Sequence, residues 1–487
     1  MPEKTSTSLG CSIASGMTEK CGVVGISINK AVALPLYYSL YALQHRGQES
    51  AGIVTHDGFQ QHSHVEMGLV GDAIKKEDLE KLKGTVGIGH VRYPTEGSLN
   101  KQCAQPFSVS FRGGSLALSH NGNLINSEDL RSQLEEFGHT FISDGDTEVM
   151  THELARNLLS SDRVTSVHQT MKKIHGSYSL VIMQDDTVMG LRDPLGNRPL
   201  CIGKLDGGYV IASESCVIDT LGGELLRDVS PGELIILHPN GSGIESHQLT
   251  ELDHSAHCFF EYIYFSRPDS IIDKRLVYDV RCELGKKLWE DVGVKTDIVM
   301  PVPDSGRAYA LGYAEAAAEE NVNIRLAEGL MKNRYIGRTF IMPDQDSRER
   351  AVRLKLNPIK STVSGKSITL IDDSIVRGTT SKLLIKLLRD HQVSEVHLRI
   401  GSPQIISPCY MGINMANRDE LIASGKTLDE IKDFLGADSV AYLPIDSIAE
   451  VIGKSKKDLC LGCVTEKYPY DIEGELTDRH TKRPTIN

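Results

Sequence analysis

The run Ser367-Ile-Thr-Leu-Ile-Asp-Asp-Ser-Ile-Val-Arg-Gly-Thr-Thr380 constrains this chain more than any other stretch. It reads as a buried strand that delivers two adjacent carboxylates, Asp372 and Asp373, into a short polar loop. A helix is expected to open at Thr380 or Ser381, with Leu383, Leu384, Leu387 and Leu388 on one face. Helix N-termini present unpaired N–H groups to anions, and Gly378 lets a phosphate approach them closely. Paired acids beside that phosphate suit the hydroxyls of a sugar, or a Mg2+ ion. A purely structural strand–turn–helix would need neither the acid pair nor Arg377.

At 487 residues the chain exceeds one ordinary core, so two or three domains are expected. No apolar run is long enough to span a bilayer, and a net charge of −12 disfavours nucleic acid and anionic membranes. An anionic substrate must then be met by local cations, such as Lys332, Arg334, Arg338, Arg348, Arg350, Arg353 and Lys355. Ten cysteines without a secretory signal point to a reducing, cytoplasmic setting in which thiols are catalytic, metal-bound or buried.

Residues 1–20 read as a polar leader, 21–252 as a strand-rich domain, 253–476 as alternating strand and helix, and 477–487 as a polar tail. In the first domain strands are expected at Gly22–Ile28, Thr85–His90, Leu116–Ser119, Ser179–Met183 and Tyr209–Ala212. Helices are expected at Ala33–Gln44 and Asp146–Ser160, an α+β pattern. In the second, Asp297–Pro301, Arg307–Glu319, Ser367–Asp372, Ser381–Asp390 and Val396–Ile400 alternate as a parallel α/β sheet does, with ligands at the carboxyl ends of strands.

Cys21-Gly-Val-Val-Gly-Ile26 begins the strand-rich domain. A thiol needs a base near neutral pH, and a free α-amino group serves if the cysteine becomes the first residue. Removal of residues 1–20 would supply it; translation from Met17 would leave only a four-residue leader. Taken alone, Cys21 could equally be a buried structural residue. Other segments complete a site for an amino acid bearing an amide. His45-Arg-Gly-Gln-Glu-Ser-Ala-Gly52 places Arg46 and Gly47 on a tight loop, and Arg92 can fork onto a carboxylate. Asn121 and Gly122 offer oxyanion donors, and Asp146 a counter-charge for an ammonium. His90 and His120 read as hydrogen-bonded structural histidines. These segments resemble, in order, the glutaminase domain of N-terminal-nucleophile (Ntn) amidotransferases. The resemblance implies that Cys21 is nucleophile and base, Arg92 and Asp146 clamp glutamine, Asn121 and Gly122 hold the oxyanion, and Arg46 and Gly47 support the nucleophile within the glutamine-binding set. Cys103 stands where many relatives have Asn, a change read as harmless.

Pro301-Val-Pro-Asp-Ser-Gly306 is a second phosphate-type loop, whose amides and Ser305 could meet pyrophosphate or Mg2+. Lys332-Asn-Arg-Tyr-Ile-Gly-Arg-Thr-Phe340 runs into a long aperiodic segment of the kind that forms lids. Glu261-Tyr-Ile-Tyr-Phe-Ser-Arg-Pro-Asp-Ser270 lies at the domain junction, either touching both sites or packing between domains. Four thiols, Cys258, Cys409 and the Cys460/Cys463 pair, could bind Zn2+ or an iron–sulfur cluster; the pair alone could be redox-active or inert.

The Ser367–Thr380 run resembles the binding motif for phosphoribosyl pyrophosphate (PRPP) of type I phosphoribosyltransferases. An Ntn αββα sandwich followed by such a sheet resembles the amidophosphoribosyltransferase family from Cys21 to about Tyr470. The runs ALQHRGQESAGI, EYIYFSRPDS, KNRYIGRTFI and IDDSIVRGTT carry that likeness. It implies transfer of ammonia from L-glutamine to PRPP, the first step of purine synthesis. The PRPP contacts would be Asp304, Ser305, Gly306, Lys332, Tyr335, Arg338, Asp372, Asp373, Ser374, Arg377, Gly378, Thr379 and Thr380, with Mg2+ on Ser305, Asp372 and Asp373. One branch of the family carries a 4Fe–4S cluster and a cleaved leader, and Cys258, Cys409, Cys460 and Cys463 match its ligands. A homotetramer inhibited by purine nucleotides is also implied. Three other readings are less well served. A sugar-phosphate synthase lacks the PRPP motif, a base-salvage phosphoribosyltransferase has no use for Cys21, and a PRPP-binding regulatory protein would be expected to have lost Cys21, Asn121 or Asp146.

Overall fold

The computed structural model describes residues 21–93, 101–333, 353–415 and 417–472. The expected leader and tail therefore lie outside the described residues, as do Tyr335, Arg338 and most of the expected lid.

Two antiparallel sheets form the amino-terminal unit. In the seven-stranded sheet Gly22–Ile28 lies between Val86–Arg92 and Gly208–Ala212, with Gly22 opposite Val91 and Val24 opposite Ala212. In the six-stranded sheet the long strand Gly114–Leu124 pairs with Gly176–Gln184. Val23, Val54, Ile88, Val181, Val188 and Ile235 fill the layer between the sheets. Helix Ala33–Ala42 covers the outer face of the first sheet through Leu36 and Leu40, and Asp146–Asn157 covers the second through Val149 and Leu154. Gly22–Ile28 is buried throughout because apolar layers lie on both sides of its sheet. The result is the αββα sandwich of the Ntn type.

The second unit is a five-stranded parallel sheet ordered Arg325–Leu326, Ile298–Pro301, Ser367–Asp372, Glu395–Ile400, Ser439–Tyr442. Parallel strands need cover on both faces. Val277–Val292, Arg307–Glu319 and Ile445–Ile452 share one apolar cluster, Thr379–Asp390 and Leu428–Leu435 the other. The strand order reverses between Ile298–Pro301 and Ser367–Asp372, and a crevice at the carboxyl ends of strands is expected at such a reversal. This is a type I phosphoribosyltransferase sheet.

Arg307–Glu319 and Ser367–Asp372 form as the sequence predicts. The helix after the acid pair opens earlier than expected, at Thr379, and Ile385 takes the fully buried place expected for Leu383, which is only half-buried. Asp146–Asn157 stops three residues short of Ser160. Phe259, Phe260, Tyr262 and Phe265 enter the core of the second unit, so the junction aromatics do pack. No helix among the described residues is long and apolar enough to cross a membrane.

Candidate active sites

Cys21 stands just before the strand Gly22–Ile28 and lines a cleft together with Arg92, Cys103, His120, Gly122 and Asp146. Its thiol donates toward the Tyr93 carbonyl at 3.6 Å. Its own carbonyl accepts from Arg46 Nε at 3.1 Å. Burial pushes the thiol up to about 11, and the positive charge of Arg92 offsets this only in part. Near neutral pH the thiol is protonated and requires a base.

Arg92 is buried, and its Nη1 donates to Glu49 Oε2 at 3.1 Å. Asp146 begins its helix, where the N-terminal dipole favours a carboxylate. Burial alone would raise Asp146, but His120 Nδ1 at 3.3 Å, the Leu124 amide at 3.1 Å and the Thr147 hydroxyl hold it below the usual range. His120 thus helps keep Asp146 a carboxylate, and its own amide donates to Gln105 Oε1 at 2.7 Å. Asn121 is buried, and its Nδ2 has no hydrogen-bond partner among the described residues. A buried donor left unmade is costly, so it fits a site awaiting an acceptor. Beside it Gly122 has φ of 151°, and a Cβ there would lie 1.9 Å from the Ser177 carbonyl oxygen. Only glycine fits.

Arg46 stands behind the nucleophile and does not line the cleft. Besides the Cys21 carbonyl, it donates to Glu214 at 2.6 Å and twice to Glu261 at 3.0 Å. These contacts agree with the supporting place that the resemblance implies for Arg46. Gly47 lies on the backbone of Val91 and Arg92. Burial would raise Glu214, yet His45 and Arg46 pull it down to about 2. Glu261 comes from the junction segment, which therefore reaches the first site as well as packing. Three supporting residues escaped the sequence: Glu49, Glu214 and Gln105. Glu49 was visible within the HRGQES run, whereas Glu214 lies 168 residues from Arg46 and no local pattern marks it. Cys103, read as harmless, lines the cleft.

In the second unit Asp372 and Asp373 are buried at the carboxyl end of their strand. Burial raises both carboxyls, and Asp372 rises further from the charge of its neighbour. The Asp373 amide donates to Asp372 Oδ1 at 3.0 Å, and the Ser374 hydroxyl to Asp373 Oδ2 at 2.6 Å. Ser305 reaches Asp373 from the facing loop, which is tied to the acid strand by Val302 N–H to Ile371 O at 2.8 Å. The two phosphate-type loops therefore meet. Gly306 caps helix Arg307–Glu319, and Asp304 pairs with Lys332 at 2.8 Å and Arg307 at 3.0 Å. Arg377 pairs with Glu420 at 2.6 Å. Gly378, at φ of 71°, precedes Thr379 and Thr380 in the first turn of the helix.

The four thiols come from three segments that meet. His257–Cys258 pairs in parallel with Leu459–Cys460, and the amides of Ile406 and Ser407 donate to the Cys463 carbonyl at 3.0 and 3.1 Å, bringing Cys409 close. Burial, then Cys258 and Cys409, push Cys460 up to about 12. Burial and the other three thiols raise Cys463. Among the described residues no three metal-binding side chains converge tightly enough for a single ion.

A protected thiol cleft joined to a paired-acid sugar-phosphate crevice defines a two-domain glutamine amidotransferase. Residues 91–220 match the family model described as a glutamine amidotransferase domain. The amidophosphoribosyltransferase of Methanocaldococcus jannaschii is 48% identical over 471 residues, covering 93% of this chain and 98% of that protein. That of Bacillus subtilis is 41% identical over 478 residues, covering 97% and 98%. A solved B. subtilis glutamine PRPP amidotransferase, complexed with ADP and GMP, aligns with a TM-score of 0.88 at 41% identity, over 95% of this chain and 100% of that one. The chain belongs to the amidophosphoribosyltransferase family.

Proposed function

We propose that this chain hydrolyses glutamine at Cys21 and passes the ammonia to C1 of PRPP, giving 5-phospho-β-D-ribosylamine, pyrophosphate and glutamate, the first step of purine synthesis. The observation that carries this reading is the anchoring of the nucleophile on the second domain by Arg46, which holds the Cys21 carbonyl with one arm and Glu261 of the junction segment with another.

With residues 1–20 removed, the Cys21 amino group takes the thiol proton and Sγ attacks the amide carbon. Arg92 holds the glutamine carboxylate and Asp146 the ammonium. The Asn121 amide and the Gly122 N–H stabilise the oxyanion. Collapse returns the proton to the leaving ammonia and leaves a thioester, which water hydrolyses to glutamate. In the second site Asp372 and Asp373 orient the ribose hydroxyls, and the Gly378–Thr380 turn receives the 5′-phosphate. Ser305, Gly306 and Asp304 face the pyrophosphate, with Lys332, Tyr335 and Arg338 expected to close over it. Ammonia displaces pyrophosphate with inversion, in a passage kept dry so that it stays unprotonated. Ser305, Asp372 and Asp373 fit Mg2+, since buried adjacent acids invite a cation; bound there, the ion would offset charge on departing pyrophosphate.

The converging thiols suit a 4Fe–4S cluster, which spreads its four thiolates more widely than one ion does. Bound, it would staple Cys258, Cys409, Cys460 and Cys463 together. We further propose a cytoplasmic homotetramer inhibited by purine nucleotides; the B. subtilis structure with ADP and GMP supports the last point. Protein trimmed to Cys21 is expected to release glutamate and phosphoribosylamine together; glutamate release uncoupled from PRPP consumption would overturn the reading. Brown protein with about equal iron and sulfide is expected, and colourless zinc-loaded protein would reject the cluster.

A further inference from the structure

The segment leaving strand Glu395–Ile400 starts at one site and ends at the other. The Gly401 amide donates to the Asp372 carbonyl at 2.9 Å, and eleven residues later Gly412 lies on Gly122. A Cβ on Gly412 would stand 2.6 Å from the Gly122 carbonyl carbon and 2.7 Å from its oxygen. Backbone rests on backbone there, with no flexible side chain to give way.

The contact is anchored on both sides. Asn123 Nδ2 donates to the Tyr410 carbonyl at 3.1 Å, and the Ser177 hydroxyl to the Met411 carbonyl at 2.8 Å. These residues flank Gly122 on its own strand and the paired strand. Behind the turn, Tyr468 donates to the Pro408 carbonyl at 2.6 Å and packs edge-on against Tyr410 at 5.0 Å. Tyr410, Met411 and Ile413 are all buried. Gly122 is thus pinned between the Ser177 carbonyl and the Gly412 turn.

We infer that Gly412 is a positioning residue for glutamine hydrolysis: the Tyr410–Gly412 turn of the second domain sets the backbone that presents the Gly122 N–H to the oxyanion. The inference rests on the oxyanion role given to Asn121 and Gly122. Because the turn rests on the Gly122 backbone, its displacement acts on the transition state rather than on glutamine binding.

The test uses the full chain trimmed to Cys21. Gly412→Ala is expected to lower kcat for glutamine hydrolysis about tenfold or more, with the glutamine KM within about twofold. Ammonia-dependent pyrophosphate release should stay within about twofold. Ser177→Ala, which removes one anchor without adding bulk, should lower the same kcat about threefold. Combined with Asn121→Ala, Gly412→Ala should cost less than the product of the single effects, because both act on one charge. Wild-type kcat in Gly412→Ala, or parallel loss of both activities in Gly412→Ala and Ser177→Ala, would overturn the inference. Wild-type kcat in Asn121→Ala would instead remove the oxyanion reading beneath it.

Discussion

In the glutamine cleft Cys21, Arg92 and His120 are no more than 6% exposed, whereas in the sugar crevice Lys332, Asp304 and Arg377 carry side chains about half exposed. The first set is preassembled. Its burial raises the Cys21 thiol, and the neighbouring Asn121 Nδ2 has no hydrogen-bond partner among the described residues. The second set is provisional: Lys332 holds Asp304 and Arg377 holds Glu420, surface pairs worth little that a phosphate can replace. Among the described residues, Asp372 and Asp373, with Ser305 and Ser374, are the part built in advance there. A nucleophile that must exclude water is organised before substrate arrives, while cations for a highly charged ligand can rest on surrogates until it comes.

The contrast breaks most visibly if Cys21→Ala abolishes both activities. Glutamine-dependent product formation should fall on the order of 10⁴-fold, with ammonia-dependent formation retained. Glu214→Gln tests the preassembled side through stability. Removing one partner of a buried ion pair should cost about 3–5 kcal/mol. Glu214 is lowered to about 2 on folding, so its contribution is complete above its ordinary value of 4.5 and is lost as pH falls through about 2. Melting curves of variant and wild type should therefore lie far apart at pH 7 and converge toward pH 2; a constant gap would contradict the charge pairing. In the sugar crevice Asp373→Asn should lower PRPP turnover about 10²-fold, read as pyrophosphate release with ammonia as donor. Arg377→Ala should raise the PRPP KM only a few-fold, since an exposed phosphate contact is screened. An equal loss from Arg377→Ala and Asp373→Asn would erase the distinction between built and provisional contacts.

Much of this was legible where chemistry is local. The acid pair, Gly378 and the helix behind them form one continuous run, and Asp146 begins a helix that the periodicity marks. Leu383 was misplaced because an i, i+4 pattern does not tell which of two neighbouring aliphatic residues turns inward; Ile385 does. Glu214, Gln105 and Gly412 were illegible for a different reason. Each acts across a long separation in sequence, and ordinary acid, amide and glycine side chains carry no local signature of the partner they will meet. Cys103, a departure from many relatives read as harmless, forms part of the cleft wall, a place that its local sequence does not announce.

Glu261 belongs to the second domain, yet Arg46, fully interior to the first domain's nucleophile loop, donates two hydrogen bonds to it and takes a second counter-charge from it. A glutaminase half expressed alone would keep Glu214 and lose this second counter-ion, stranding part of a guanidinium in a dry interior. Fission of the gene would therefore weaken the nucleophile's support before ammonia delivery became an issue, and engineering of an independent glutaminase from this chain would begin by giving those guanidinium N–H groups a new acceptor.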